Sequence, residues 1–153
     1  MDFTPKNIKM CEKAEEIQKL WRPQVGDFFI SPWGDLLLVI DTKLDILEWQ
    51  LVKEKIYSDS PFDIWIPHQD QLQQMGMPYK CSNSTPYAPK PDLATFLKEF
   101  YNFCFEYGYS RKYPKRTPVV IFDSIEQLLL AFVMLKEYGK IWDDEKQEWI
   151  HED

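Results

Sequence analysis

The stretch Ser124-Ile125-Glu126-Gln127-Leu128-Leu129-Leu130-Ala131-Phe132-Val133-Met134-Leu135-Lys136-Glu137-Tyr138-Gly139 decides the fold. It opens on S-x-x-Q, in which a serine hydroxyl accepts a backbone N–H of the first turn while the glutamine reaches back. It closes on glycine, the residue that most easily turns left-handed after a helix. Between these signals the run is apolar on every side, so this helix belongs in the interior. Upstream, Leu93 to Tyr107 reads as a second long helix, capped by Asp92, with Leu93, Phe96, Leu97, Phe100, Cys104 and Tyr107 as its stripe. Tyr101 and Phe105 lie off that stripe, which points to apolar contact on two sides. Downstream, Ile141-Trp142 and Trp149-Ile150 flank a polar stretch and predict a hairpin whose rings pack back onto the last helix.

Further out, Met10 to Trp21 has the apolar spacing of one short helix, stopped by Pro23. Phe28-Phe29-Ile30, Leu36 to Ile40 and Glu48 to Tyr57 read as three strands of an antiparallel meander, the first two joined through the turn chemistry of Ser31-Pro32-Trp33-Gly34-Asp35. Ile64-Trp65-Ile66 is a short apolar segment. Pro67 then starts a brief helix that ends at Gly76. Met77 to Asp92 is proline-rich and reads as a surface connection. The expected architecture is α+β: a small antiparallel sheet packed on two main helices, with a C-terminal hairpin, residues 1–153 forming a single domain.

The chain has 153 residues and a net charge of −7. That balance disfavours duplex DNA, whose non-specific binding needs clustered positive charge. The three cysteines, Cys11, Cys81 and Cys104, are widely spaced and form no C-x-x-C, which speaks against a disulfide framework or a zinc site and for a reducing compartment. No leader-like opening and no membrane-length apolar run is apparent. His68 with Asp70 lacks a third metal ligand, no nucleophile motif occurs, and the glycines are too scattered to cradle a phosphate. The expectation is a protein without catalytic residues, metal or cofactor.

Two regions stand out as candidate ligand-binding sites. Arg111, Lys112, Lys115 and Arg116, interleaved with Tyr109 and Tyr113, combine guanidinium forks for phosphate oxygens with rings that stack on a base; the plainer alternative is a solvated loop. Trp65, His68 and Gln69 open a glutamine-rich helix whose amides could meet an anion or an amide-bearing ligand; the plainer alternative is a structural helix with Trp65, Leu72 and Met75 packed inward.

The blocks Trp21-Arg22-Pro23-Gln24-Val25-Gly26-Asp27, Trp65-Ile66-Pro67-His68-Gln69-Asp70-Gln71-Leu72-Gln73-Gln74-Met75 and Ser124-Ile125-Glu126-Gln127, with Trp142-Asp143 near the end, resemble a family of small uncharacterised proteins of phages and prophages of Gram-positive bacteria. These carry W-x-P-x-x-G-D, W-x-P-x-Q-D-Q-L-Q-x-M and S-x-E-Q in this order. The resemblance implies action in a bacterial cytoplasm and carries no functional residue with it. The expected function is that of a non-enzymatic phage or prophage accessory protein. As an anti-defence binder, it would sequester a small phosphorylated, nucleotide-like signal. The alternative is an acidic inhibitor that binds a host defence or nucleic-acid-handling protein. Membrane partners are not expected, and homo-oligomerisation is left open.

Overall fold

The computed structural model describes residues 1–41, 48–53, 62–77, 79–80, 90–107 and 122–152. It divides into two compact units, Met1–His68 with Trp142–Ile150, and Gln69–Ile141 with His151–Asp153. The fold is α+β, with an antiparallel sheet and a C-terminal hairpin, as the sequence predicts.

The first unit opens on α1 (Pro5–Lys13) and α2 (Glu15–Leu20). Thr4 caps α1, its hydroxyl accepting the Asn7 N–H, and Pro5 takes the first-turn position where its missing N–H costs nothing. The expected single helix from Met10 to Trp21 is therefore corrected at both ends of the argument. Helix begins five residues earlier, at a Thr-Pro start signal, and breaks at Ala14, whose ψ of 63° is not helical. The Ala14 N–H donates to both Met10 and Cys11 carbonyls, and the Gln18 side chain claims the Cys11 carbonyl as well.

The sheet holds β1 (Phe28–Ile30), β2 (Leu36–Asp41), β3 (Glu48–Lys53) and β4 (Ile64–Ile66) in the order β3-β2-β1-β4, with antiparallel neighbours. The meander is present, and the apolar Ile64-Trp65-Ile66 segment joins it as a fourth strand beside β1. Phe29, Leu37 and Val39 form a buried cluster on one face, with Trp21 packed against it. Register shifts leave Ile40 on β2 and Val52 on β3 without opposite numbers, so the β2–β3 ladder is bulged at both ends.

Hydrogen-bond directions follow from one pair. The Val39 N–H donates to Asp27 and its carbonyl accepts from Gly26, so Val39 faces β1. Alternation then turns Leu37 and Phe29 toward each other, and Trp65, opposite Phe29, turns its own N–H and C=O away from the sheet. Both are met by one side chain. Gln18 Oε1 accepts the Trp65 N–H at 2.8 Å, and Gln18 Nε2 donates to the Trp65 carbonyl at 3.0 Å. A primary amide thus takes the place that the peptide group of a further strand would occupy, and it closes the β4 edge.

The chain ends in β7 (Lys140–Asp143) and β8 (Glu148–His151). Trp142 and Trp149 meet edge to face at 5.1 Å. Trp149 Nε1 donates to the Met10 carbonyl at 3.0 Å, and Trp142 Nε1 donates to Asp144. Trp149 is thereby tied to the last turn of α1, where its buried indole N–H shares the Met10 carbonyl with the Ala14 N–H.

The second unit holds α3 (Gln69–Met75), the two-residue strands β5 (Tyr79–Lys80) and β6 (Lys90–Pro91), α4 (Leu93–Tyr107) and α5 (Ile125–Tyr138). Ser124 Oγ accepts the Gln127 N–H at 3.1 Å, Gln127 Oε1 accepts the Asp123 N–H, and Gly139 ends the helix in the left-handed region. Leu129 to Met134 are all buried, so α5 is the interior helix that its sequence requires. Phe132 is the hub. Phe96, Phe100 and Phe103 of α4 meet its ring at 5.4–5.7 Å in edge-to-face contacts. The expected α4 stripe is corrected here: Phe103 is buried, while Leu93 and Leu97 join Tyr101 and Phe105 as an exposed row.

Candidate functional site

The two tryptophan blocks of the first unit interlock. After α2 the chain bends through Pro23, and Asp27 draws it closed. Its carboxylate Oδ2 accepts the Trp21 indole N–H and the Gln24 backbone N–H, each at 2.9 Å. Gly26, at φ 100°, makes the turn that brings Asp27 back; a side chain there would strain the backbone. The Trp21 ring stacks on Trp65 at 6.2 Å with an interplanar angle of 8° and tilts against Phe29. His68 Nε2 lies 2.8 Å from the Gly26 carbonyl and, since a carbonyl only accepts, donates to it. The W-x-P-x-x-G-D residues are therefore joined to Trp65 and His68 of the second block by a ring stack and a hydrogen bond. Their role here is to hold α2, β1 and β4 together.

Of the residues expected to bind ligand, Trp65 is only 4% exposed, and its indole N–H has no acceptor among the described residues. His68 is half-buried and engaged with Gly26, and Gln69 stands exposed at the start of α3. Arg111, Lys112, Tyr113, Lys115 and Arg116 lie outside the described residues.

The bend also builds something that the sequence did not reveal. Beside Trp21 runs an open cleft of about 520 Å³, within the size range of ligand pockets. Ile64, Gln18 and Trp21 contribute to it from β4, α2 and the bend; Phe62 and Asp63 from the segment before β4; Glu12, Lys13, Glu15 and Lys19 from the helices. Three carboxylates and two ammonium groups line it, and Lys9, paired with Glu12 from outside the lining, brings the local charge close to balance. Glu12 is paired with Lys9 at 2.9 Å and Glu15 with Lys19 at 3.4 Å. Asp63 has no cationic partner among the described residues, and partial desolvation raises its carboxyl from its ordinary value. Phe62, next to it, is 74% exposed. An under-compensated carboxylate beside an accessible ring suits a cation, which gains from both. Phe62-Asp63 carry no motif; the available signal was an aromatic-acid pair immediately before an apolar strand.

Neither described cysteine is poised as a nucleophile. Burial, and then the charge of Asp2, pushes the Cys11 thiol far up, and desolvation raises Cys104. Among the described residues no three His, Cys, Asp or Glu side chains converge as metal ligands, and no helix is long and apolar enough to cross a membrane. Comparison of the chain with family models, curated proteins and solved structures finds no match.

Proposed function

We propose that the protein is a binding protein that recognises a basic segment of a partner protein. The carrying observation is the Trp21–Phe62 cleft, which holds in Asp63 a carboxylate without a cationic partner among the described residues. A lysine or arginine side chain entering it would set its charge against Asp63 and its stem or guanidinium against Phe62. The chain charge of −7 steers the same class of partner from a distance. In the setting that the phage resemblance suggests, the partner is a basic host factor, such as a defence or nucleic-acid-handling protein. Calorimetry against lysine- and arginine-containing peptides tests this. Asp63→Asn should weaken binding by about tenfold, equivalent to ~1.4 kcal/mol. Equal affinity of wild type and variant would remove the cleft from the interface.

A second reading keeps the stretch Arg111-Lys112-Tyr113-Pro114-Lys115-Arg116, whose four positive charges stand out in an acidic chain. There the ligand is a small phosphorylated, nucleotide-like signal that the protein sequesters. Trp65 is committed to the core, which leaves this reading to the basic stretch. A titration with cyclic and linear nucleotides decides it: Arg111→Glu with Arg116→Glu should abolish any binding observed.

A further inference from the structure

The two edges of the sheet are treated differently. At β4 the outward N–H and C=O of Trp65 are filled by the Gln18 amide, and all three strand residues are buried. At β3 the same alternation identifies the outward groups. Leu37 and Val39 spend their backbone groups on β1, so Leu51 and Trp49, directly opposite them, point their N–H and C=O away from β2. Gln50, opposite Leu38, faces inward and completes the ladder. Among the described residues nothing meets the outward groups of Trp49 and Leu51. Their side chains are 53% and 43% exposed, and Gln50 and Val52 are exposed with them.

An open edge with apolar side chains invites pairing, and folded proteins ordinarily blunt it. Here the blunting is partial: the bulges at Ile40 and Val52 frame the edge and leave the run Trp49-Gln50-Leu51 between them. Residues directly opposite across strands share a face. Trp49 and Leu51 therefore extend the Trp21–Phe29–Leu37–Val39 face outward, so that one side of the core stops at an exposed rim.

The geometry points to strand addition at β3: an extended segment of a basic partner protein pairs antiparallel or parallel with Trp49–Leu51 and lays apolar residues, at every second position, over Trp49 and Leu51. This rests on the reading of the protein as a binder of basic protein segments and adds the mode of capture. The occupant follows from the chemistry. A row of alternating donors and acceptors is matched by another extended backbone, and period-two apolar contacts are what such a backbone presents. The charge of −7 favours a basic segment and opposes a second copy of the same chain.

The probe is a synthetic peptide that alternates valine with lysine and arginine, and the readout is amide hydrogen exchange by NMR. In the free protein the Trp49 and Leu51 amides should exchange quickly while Gln50 is protected. Saturating peptide should slow Trp49 and Leu51 by at least about tenfold and leave Gln50 unchanged. Leu51→Pro, which removes an outward N–H that the β2–β3 ladder does not use, should weaken the peptide by about tenfold while keeping the fold. Peptide binding without protection at Trp49 and Leu51 overturns strand addition and leaves the binding reading standing. Protection that appears without peptide and grows with protein concentration overturns it in favour of self-pairing. No peptide binding at all removes both.

Discussion

Gln18 shows how much one side chain can decide. Its amide spans the Cys11 carbonyl and both backbone groups of Trp65, so it joins the break between α1 and α2 to the sheet edge. Truncation to alanine leaves a buried N–H and a buried carbonyl without partners, each costing about 1–3 kcal/mol. Gln18→Ala should therefore destabilise the protein by roughly 3 kcal/mol, read as a lower denaturant midpoint with an unchanged slope. Gln18→Glu should be no better, since a carboxylate cannot donate to the Trp65 and Cys11 carbonyls. If both variants unfold with the wild type, the amide does not close the edge. The role was not legible in the sequence. Glutamine in a short amphipathic helix looks like solvated surface, and its partner lies 47 residues away. Asp27 was hidden for the same reason: W-x-P-x-x-G-D could be quoted as a pattern, but that its first and last residues bond to each other needed coordinates.

At the scale of elements, legibility tracked how local the determining physics is. The α5 helix carries its own cap, its own stop and an apolar surface all round, and it forms between the signals that announce it. The extent of α4 was equally plain, but its facing was not. Two apolar rows run along it, and which row is buried depends on Phe132, contributed by another helix. The α3–α5 contact offers a test of that packing. A Cβ at Gly76 would stand 3.0 Å from Phe132 Cε1 and 3.4 Å from Phe96 Cε2, so an added methyl would press on the Phe132 ring. The Gly76 carbonyl also accepts Lys136 Nζ, which is paired with Glu99 at 2.6 Å. Gly76→Ala should cost about 1–3 kcal/mol, as overpacking does, and the Phe132 ring should lose its distinct NMR shifts before the helix content falls. Gly76→Ala combined with Phe132→Leu should recover part of the loss, which an effect on chain flexibility alone would not. The break at Ala14 was missed because helical periodicity continues through it; the hydrogen bonds that interrupt it come from Gln18 and are not periodic.

For the whole molecule, charge was the most legible property, and it constrains function more than any motif. Electrostatic steering of a basic segment is long-ranged and screened by salt, whereas contact with Asp63 at the cleft is short-ranged and screened less. The two contributions separate in one experiment. Raising ionic strength should slow association with the lysine-arginine peptide while changing dissociation little. Lowering pH acts on Asp63 directly. In the free protein, desolvation raises this carboxyl, so the charged form is disfavoured; a bound cation relieves that penalty and lowers the carboxyl again. The complex then holds fewer protons than its parts. Linkage gives the sign: affinity should fall as pH drops through the carboxyl range and level off above the raised value. Asp63→Asn should flatten that profile while leaving the salt dependence of association nearly intact, since one charge of many is removed from the long-range field. A profile equally steep in the variant would assign the pH dependence to other carboxylates and take the cation site away from the cleft.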